Sequence, residues 1–262
     1  MRSSLAIARL ALAIFSLSPL GVALAASSCS VASGSGTTAL IELYTSEGCD
    51  SCPPADRWLS TLKGSKRLPA QVVPLALHVD YWDKLGWQDR YASPQFSRRQ
   101  SEQVRLRGGR TVYTPQVLLD GRDFRDWQDN GAFANAVRAI NERPAKASLS
   151  LRLHSDKAGE WLGDLSGISP NANVVAYVAV YENGLSSDVA AGENRGKRLS
   201  HDFVVRNLIG PLKVGSGGRF QHTVPITIGS DLDHAKAGAA VFLQDAASGE
   251  IYQAVALDFC LR

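Results

Sequence analysis

Cys49 and Cys52 stand at C-x-x-C spacing in Thr45-Ser46-Glu47-Gly48-Cys49-Asp50-Ser51-Cys52-Pro53-Pro54-Ala55-Asp56. That spacing lets two sulfurs close a tight disulfide and reopen to a dithiol, which is redox chemistry. An apolar run, Ala39 to Tyr44, precedes the pair. A helical pattern from Asp56 to Leu62 follows, with Trp58, Leu59 and Leu62 apolar. The pair is therefore predicted at a strand-to-helix turn, where free backbone N–H groups and the helix dipole favour a thiolate. Glu47 and Asp50 act against it, because a carboxylate beside a sulfur disfavours its charged form. The other readings are a structural disulfide or half of a zinc site. No second C-x-x-C is present to complete a zinc ribbon.

A second group of ionisable and aromatic residues runs from His78 to Trp87. His78 and Asp80 are two apart, so on a strand they would share a face as candidates for proton transfer, or as a structural hydrogen-bonded pair. Trp82 is a candidate for substrate contact, although it and Trp87 equally suit packing. Arg98, Arg99, Arg105, Arg107 and Arg110 read as a solvated helix face. Glu193 and His201 are eight residues apart, a spacing that does not mark a metal site. Metal binding, copper above all, held by Cys49, Cys52 and His78 is one alternative to redox chemistry. A redox-inert scaffold that binds a partner is another. No cofactor and no resident metal is called for.

The elements that would position these groups follow in order. Gln71 to Val79 is a largely apolar run suited to a buried strand beside the first, and a strand–helix–strand order implies a parallel unit. Ser93-Pro94 reads as an N-cap with proline at the first helical position, opening a helix to about Arg107. Gln116 to Leu119 is a strand and Asp120-Gly121 its turn. Asp126 to Arg143 is a helix with Phe133, Val137 and Ile140 on one face and Pro144 as its stop. Beyond it the texture is alternating. Leu149, Leu151 and Leu153, then 173–181, 220–228, 239–243 and 251–259, read as strands of an antiparallel, sandwich-like module, with a polar loop over 192–201, followed by Val204-Val205-Arg206, between them.

Residues 1–26 read as a signal peptide. Arg2 and Arg9 form the positive region, Leu10 to Leu17 the apolar run, and Ala23-Leu24-Ala25 the cleavage site. A retained anchor is the alternative, and the apolar run is short for a span of about 20 residues. Export to the periplasm or medium lets disulfides persist. Four cysteines allow three connectivities; pairing Cys49 with Cys52 by spacing leaves Cys29 and Cys260 as a structural disulfide near the two ends. Loss of Arg2 and Arg9 takes the formal charge from +3 to +1. No basic excess points to nucleic acid.

The segment Tyr44 to Asp56, the His78-to-Trp87 stretch and Tyr113-Thr114-Pro115-Gln116 resemble the exported thioredoxin-like family catalogued as domain of unknown function 1223. The resemblance implies a thioredoxin-like α/β domain over 36–145, followed by a β-rich, sandwich-like module over 146–262. It implies that Pro115 is a cis-proline facing the dithiol, with Tyr113 and Thr114 beside it as substrate-binding residues. The implied activity is thiol–disulfide exchange through Cys49, Cys52 and Pro115. Its partners would be protein thiols or disulfides as substrate and a redox partner protein, with no nucleic acid and no membrane anchor after signal cleavage. Asp50-Ser51 departs from the Gly-Pro that thioredoxins carry between their cysteines.

Overall fold

The structure is a computed structural model that describes residues 28–65, 70–156, 160–215, 217–227, 229 and 231–260. The signal peptide expected over 1–26 lies outside the described residues. Among the described residues no helix is long and apolar enough to cross a membrane.

Strands dominate. The first half holds β1 (Ser28–Ala32), β2 (Ala39–Thr45), α1 (Pro53–Ser60), β3 (Val72–His78), α2 (Pro94–Leu106), β4 (Gln116–Leu119), β5 (Arg122–Asp123) and α3 (Asn130–Asn141). The second holds β6 (Ser148–Ser155), β7 (Trp161–Ser169), β8 (Val174–Glu182), β9 (Leu185–Asp188), β10 (Arg198–His201), β11 (Val204–Lys213), β12 (Gly218–Ile226), β13 (Ala237–Asp245) and β14 (Ile251–Asp258).

The thioredoxin-like α/β domain followed by a separate sandwich-like module is not the architecture of this chain. One eight-stranded mixed sheet runs through both halves in the order β14-β13-β8-β11-β3-β2-β4-β5. β2 and β3 are parallel, and β4 is antiparallel to β2. The join is at the far edge of β3, where β11 runs parallel with Val204 opposite Ala76 and the Ala76 N–H donates to Phe203 O at 2.8 Å. The expectation failed because hydrophobic period locates a strand but not the edge it will meet. A second sheet, β1-β6-β7-β12, draws its first strand from the start of the described chain and the rest from the second half.

The sheets explain the strand sequences. β8, Val-Val-Ala-Tyr-Val-Ala-Val-Tyr-Glu, is a nearly continuous apolar run because both its faces are covered. Val174, Ala176, Val178 and Val180 pack with β6, β7, β12 and β13 residues between the two sheets. Tyr177, Ala179 and Tyr181 face the helix-covered core with Leu40, Leu43 and Leu75. β6 alternates, with Leu149, Leu151 and Leu153 buried, as a strand with one wet face must.

Helix ends follow their caps. Ser93 accepts from the Gln95 N–H, Pro94 opens α2, and Asp129 accepts from the Gly131 and Ala132 N–H groups to start α3. The expected helix from Asp126 is thus divided: residues Arg125–Gln128 form a 3-10 turn before α3 begins. Arg99 is buried rather than on a solvated face. Its Nε lies 2.6 Å from Glu42 Oε1, its Nη2 donates to Gln244 Oε1 at 3.1 Å, and its guanidinium covers the Tyr177 and Phe242 rings. It fastens α2 across strands of both halves.

Both expected disulfides are present. Cys29 and Cys260 join the described ends at a Cα separation of 5.9 Å, and Cys49 joins Cys52 at 5.4 Å.

Candidate dithiol site

β2 delivers the chain into a tight turn. The Gly48 N–H donates to Ser46 Oγ at 3.1 Å, the Cys49 N–H to Ser46 O at 3.2 Å, and the Cys52 N–H to Cys49 O at 3.2 Å. Cys52 is the N-cap of α1, and Pro53 and Pro54 follow it without N–H groups to give. Ser51 Oγ lies 3.3 Å from Cys49 Sγ. Cys49 precedes the helix, a position that by itself would leave it the more exposed of the two, yet both cysteines have 0% exposure. Their cover comes from elsewhere in the chain.

One cover is local. Trp82 sits over Gly48, where an added Cβ would come within 3.2 Å of the Trp82 Cβ, and its Nε1–H donates to Thr114 Oγ1 at 2.7 Å. Tyr113, Thr114 and Pro115 are partly exposed beside it, and the Thr114–Pro115 bond is cis. Gly210–Pro211 is cis as well. The Tyr113 hydroxyl donates to Asp123 Oδ1 at 2.7 Å, and burial together with that carboxylate pushes it up to about 12.

The other cover is the β9–β10 connection. Asn194, fully buried, donates through Nδ2 to Glu47 O at 2.8 Å and to Cys49 O at 2.9 Å. Glu193 Oε2 accepts the Asp50 N–H at 3.1 Å. Gly192, at φ +72°, packs its Cα side against Trp87, where a Cβ would meet Trp87 Cβ at 3.2 Å. Glu193 and His201 therefore do not share a site: Glu193 straps the motif from outside, and His201 lies behind it.

Five buried titratable groups stand behind the cysteines: Glu47, Asp56, His78, Asp89 and His201. His78 Nδ1 lies 2.6 Å from Asp89 Oδ2, and Asp89 also accepts the Glu47 and Tyr91 N–H groups at 2.9 Å each. Burial pushes Asp89 up, but the His78 charge and these hydrogen bonds outweigh it and hold it at about 2. Burial pushes His78 down and Asp89 outweighs that, so His78 is raised. The expected His78–Asp80 pair does not form. β3 ends at His78 and the chain enters a 3-10 turn at Asp80, which sends the Asp80 carboxylate to the Ser97 hydroxyl instead.

Asp89, Asn194 and His201 are neighbours of the motif that the sequence does not mark as such. The polar run 192–201 was visible, but nothing in it named its destination. Among the described residues no group of three or more His, Cys, Asp or Glu is arranged to hold a metal ion.

A mixed-sheet β protein with two disulfides, one of them a C-x-x-C pair enclosed with acids and imidazoles, is the class that this fold and site define. The chain belongs to the family described as Protein of unknown function (DUF1223), whose model matches residues 40–244. A crystal structure of a protein from Agrobacterium tumefaciens is similar at 29% identity and a TM-score of 0.66, covering 88% of this chain and 98% of that one. HBP35 of Porphyromonas gingivalis is similar in fold, with 13% identity and a TM-score of 0.60, over 87% of this chain and 76% of that one. No curated protein matches the chain.

Proposed function

We propose that this is an exported thiol–disulfide oxidoreductase, periplasmic or secreted, acting on protein thiols or disulfides through Cys49 and Cys52. The observation that carries the reading is the setting of that bond: a strand-to-helix turn with a hydroxyl on the Cys49 sulfur and buried acids and imidazoles behind it. Thiol–disulfide exchange uses hydroxyls and imidazoles to favour thiolates, and ionisable groups of both kinds to handle protons. The two disulfides support an oxidising compartment. The relation to the thioredoxin-like superfamily rests in this reading on the dithiol turn and the Pro115 neighbourhood alone, not on the fold of the whole chain.

In the oxidising direction a substrate thiolate attacks Cys49 Sγ, the Cys49–Cys52 bond breaks, and Cys52 leaves as a thiolate that takes up a proton. The second substrate thiol gives up its proton and attacks the mixed disulfide, releasing Cys49. The substrate dithiol is oxidised and the protein disulfide reduced; the reverse sequence reduces a substrate disulfide. Cys49 takes the first role because it precedes the helix and has the Ser51 hydroxyl at its sulfur. The Thr114-Pro115 backbone and the Tyr113 and Trp82 rings are partly exposed, and Trp82, which packs on Gly48 and donates to Thr114, ties them to the motif as the surface proposed to receive the substrate chain.

The full enclosure of both sulfurs favours one rival, a redox-inert scaffold that binds a partner. The reduction potential and catalysed insulin reduction decide between them. Turnover above the buffer rate, trapped as a mixed disulfide through Cys49 in Cys52→Ser, is expected. Complete resistance of Cys49–Cys52 to dithiothreitol in the folded protein would establish the rival.

A further inference from the structure

The cluster behind the dithiol contains an imidazole with no settled partner. Glu47, two residues before Cys49, has its Oε2 on the Trp87 Nε1–H at 2.8 Å, while its Oε1 lies 3.3 Å from His201 Nε2. The other His201 nitrogen, Nδ1, lies 3.8 Å from Oδ2 of Asp56, four residues after Cys52. Neither His201 nitrogen makes a well-aligned hydrogen bond, and Glu47 Oε1 and Asp56 Oδ1 are likewise buried without one. Orphaned polar atoms cost stability in a folded interior and call for a functional reason. His201 comes from β10 in the second half of the chain, and its ring meets that of His78 edge to face at 5.0 Å.

We propose that His201 is a positioning residue for the dithiol: set between Glu47 and Asp56, its imidazole engages the carboxylates that flank the motif and so sets how readily Cys49 becomes a thiolate. The inference rests on the thiol–disulfide reading of the Cys49–Cys52 pair. A carboxylate close to a sulfur opposes loss of the thiol proton, and a ring nitrogen placed against that carboxylate relieves the opposition. Cys49 deprotonation releases its proton to solvent. The groups that face His201 are Glu47 from the turn after β2, Asp56 from α1, His78 from the end of β3, and Asp89 and Tyr91 from the segment before α2. Asp89 is engaged by His78, so Glu47 and Asp56 are the two carboxylates left to His201. Burial pushes Glu47 up, yet the contacts from His201, Ser187 and Trp87 bring it below the usual carboxylate range. Burial raises Asp56.

The test is the rate of iodoacetamide labelling of Cys49 in the reduced full-length protein from pH 4 to 10, each rate divided by its alkaline plateau so that access cancels. His201→Gln should lower the normalised rate about tenfold near neutral pH, one unit of thiol pKa. Adding Glu47→Gln to His201→Gln should bring it back to within about threefold of the parent, as coupled neighbours do. An unfolded variant would label Cys49 and Cys52 equally with a raised plateau, and the second substitution would not restore it. A normalised curve unchanged by His201→Gln, or a shift that Glu47→Gln leaves in place, overturns the assignment. Insulin reduction by the parent protein is read separately. Its failure beside a shifted labelling curve would remove the oxidoreductase reading and leave the electrostatic role of His201 standing.

Discussion

The molecule holds two disulfides in opposite settings. Cys29–Cys260 joins β1 to the segment just after β14 at the partly exposed rim of the sheet-on-sheet core, around a cavity it lines with Val31 and Leu257. Cys49–Cys52 closes a separation of three residues, is fully enclosed, and lies with Glu47, Asp56, His78, Asp89 and His201. The first spans 231 residues and acts on the unfolded chain; the second barely constrains it. On the proposed reading, a bond that contributes little entropy and lies in a motif backed by buried ionisable groups is placed for its chemistry. One at an apolar rim that closes nearly the whole chain is placed for stability.

The largest break in the comparison is removal of each bond in turn. Replacing Cys29 and Cys260 with serine should cost on the order of 5 kcal/mol by the chain-entropy relation, against about 2 kcal/mol for Cys49 and Cys52, both upper figures. Urea unfolding of the two double variants reads the difference. Equal losses would erase the division of labour.

The next effect concerns the buried pair behind the dithiol. Asp89→Asn leaves His78 without its counter-charge and should cost about 3 kcal/mol. The sign with pH follows from the two shifts. Asp89, lowered to about 2, contributes stability that is full above its unfolded value near 3.8 and is lost as pH falls through the folded one. His78, raised from 6.5, contributes stability below that value that is lost as pH rises through its folded one. These are two views of one interaction. The parent-minus-variant stability should therefore be greatest between about pH 4 and 6 and shrink on either side. A flat difference would mean that the pair is not ionised in the fold.

The smallest effect sharpens the contrast in access. Asn194→Ala removes both donors from the Glu47 and Cys49 carbonyls, a loss of about 1–3 kcal/mol at the strap. Reduction of Cys49–Cys52 by dithiothreitol should quicken roughly tenfold, and that of Cys29–Cys260 should not change. Peptide mapping of a reduction time course separates the two. Equal acceleration of both would point to general loosening rather than release of the strap.

Much of the local structure was legible in the residues. β2, β3 and β4, the Ser93-Pro94 start of α2, and the apolar face of α3 all follow from spacing and caps within a few residues. Both disulfide pairings followed from count and spacing. What the sequence alone determined was therefore what neighbours along the chain decide: where each element begins, which face it buries, and which cysteines sit close enough to join. Only the tertiary structure decided that β11 would take the free edge of β3, that His78 would turn to Asp89, and that residues 143 and 147 positions away would strap Asp50 and Glu47. The physical reason is range. Propensity and periodicity act over one turn or one pleat, whereas a strand edge or a buried carboxylate is satisfied by whatever the folded chain brings to it, and its partner leaves no local mark.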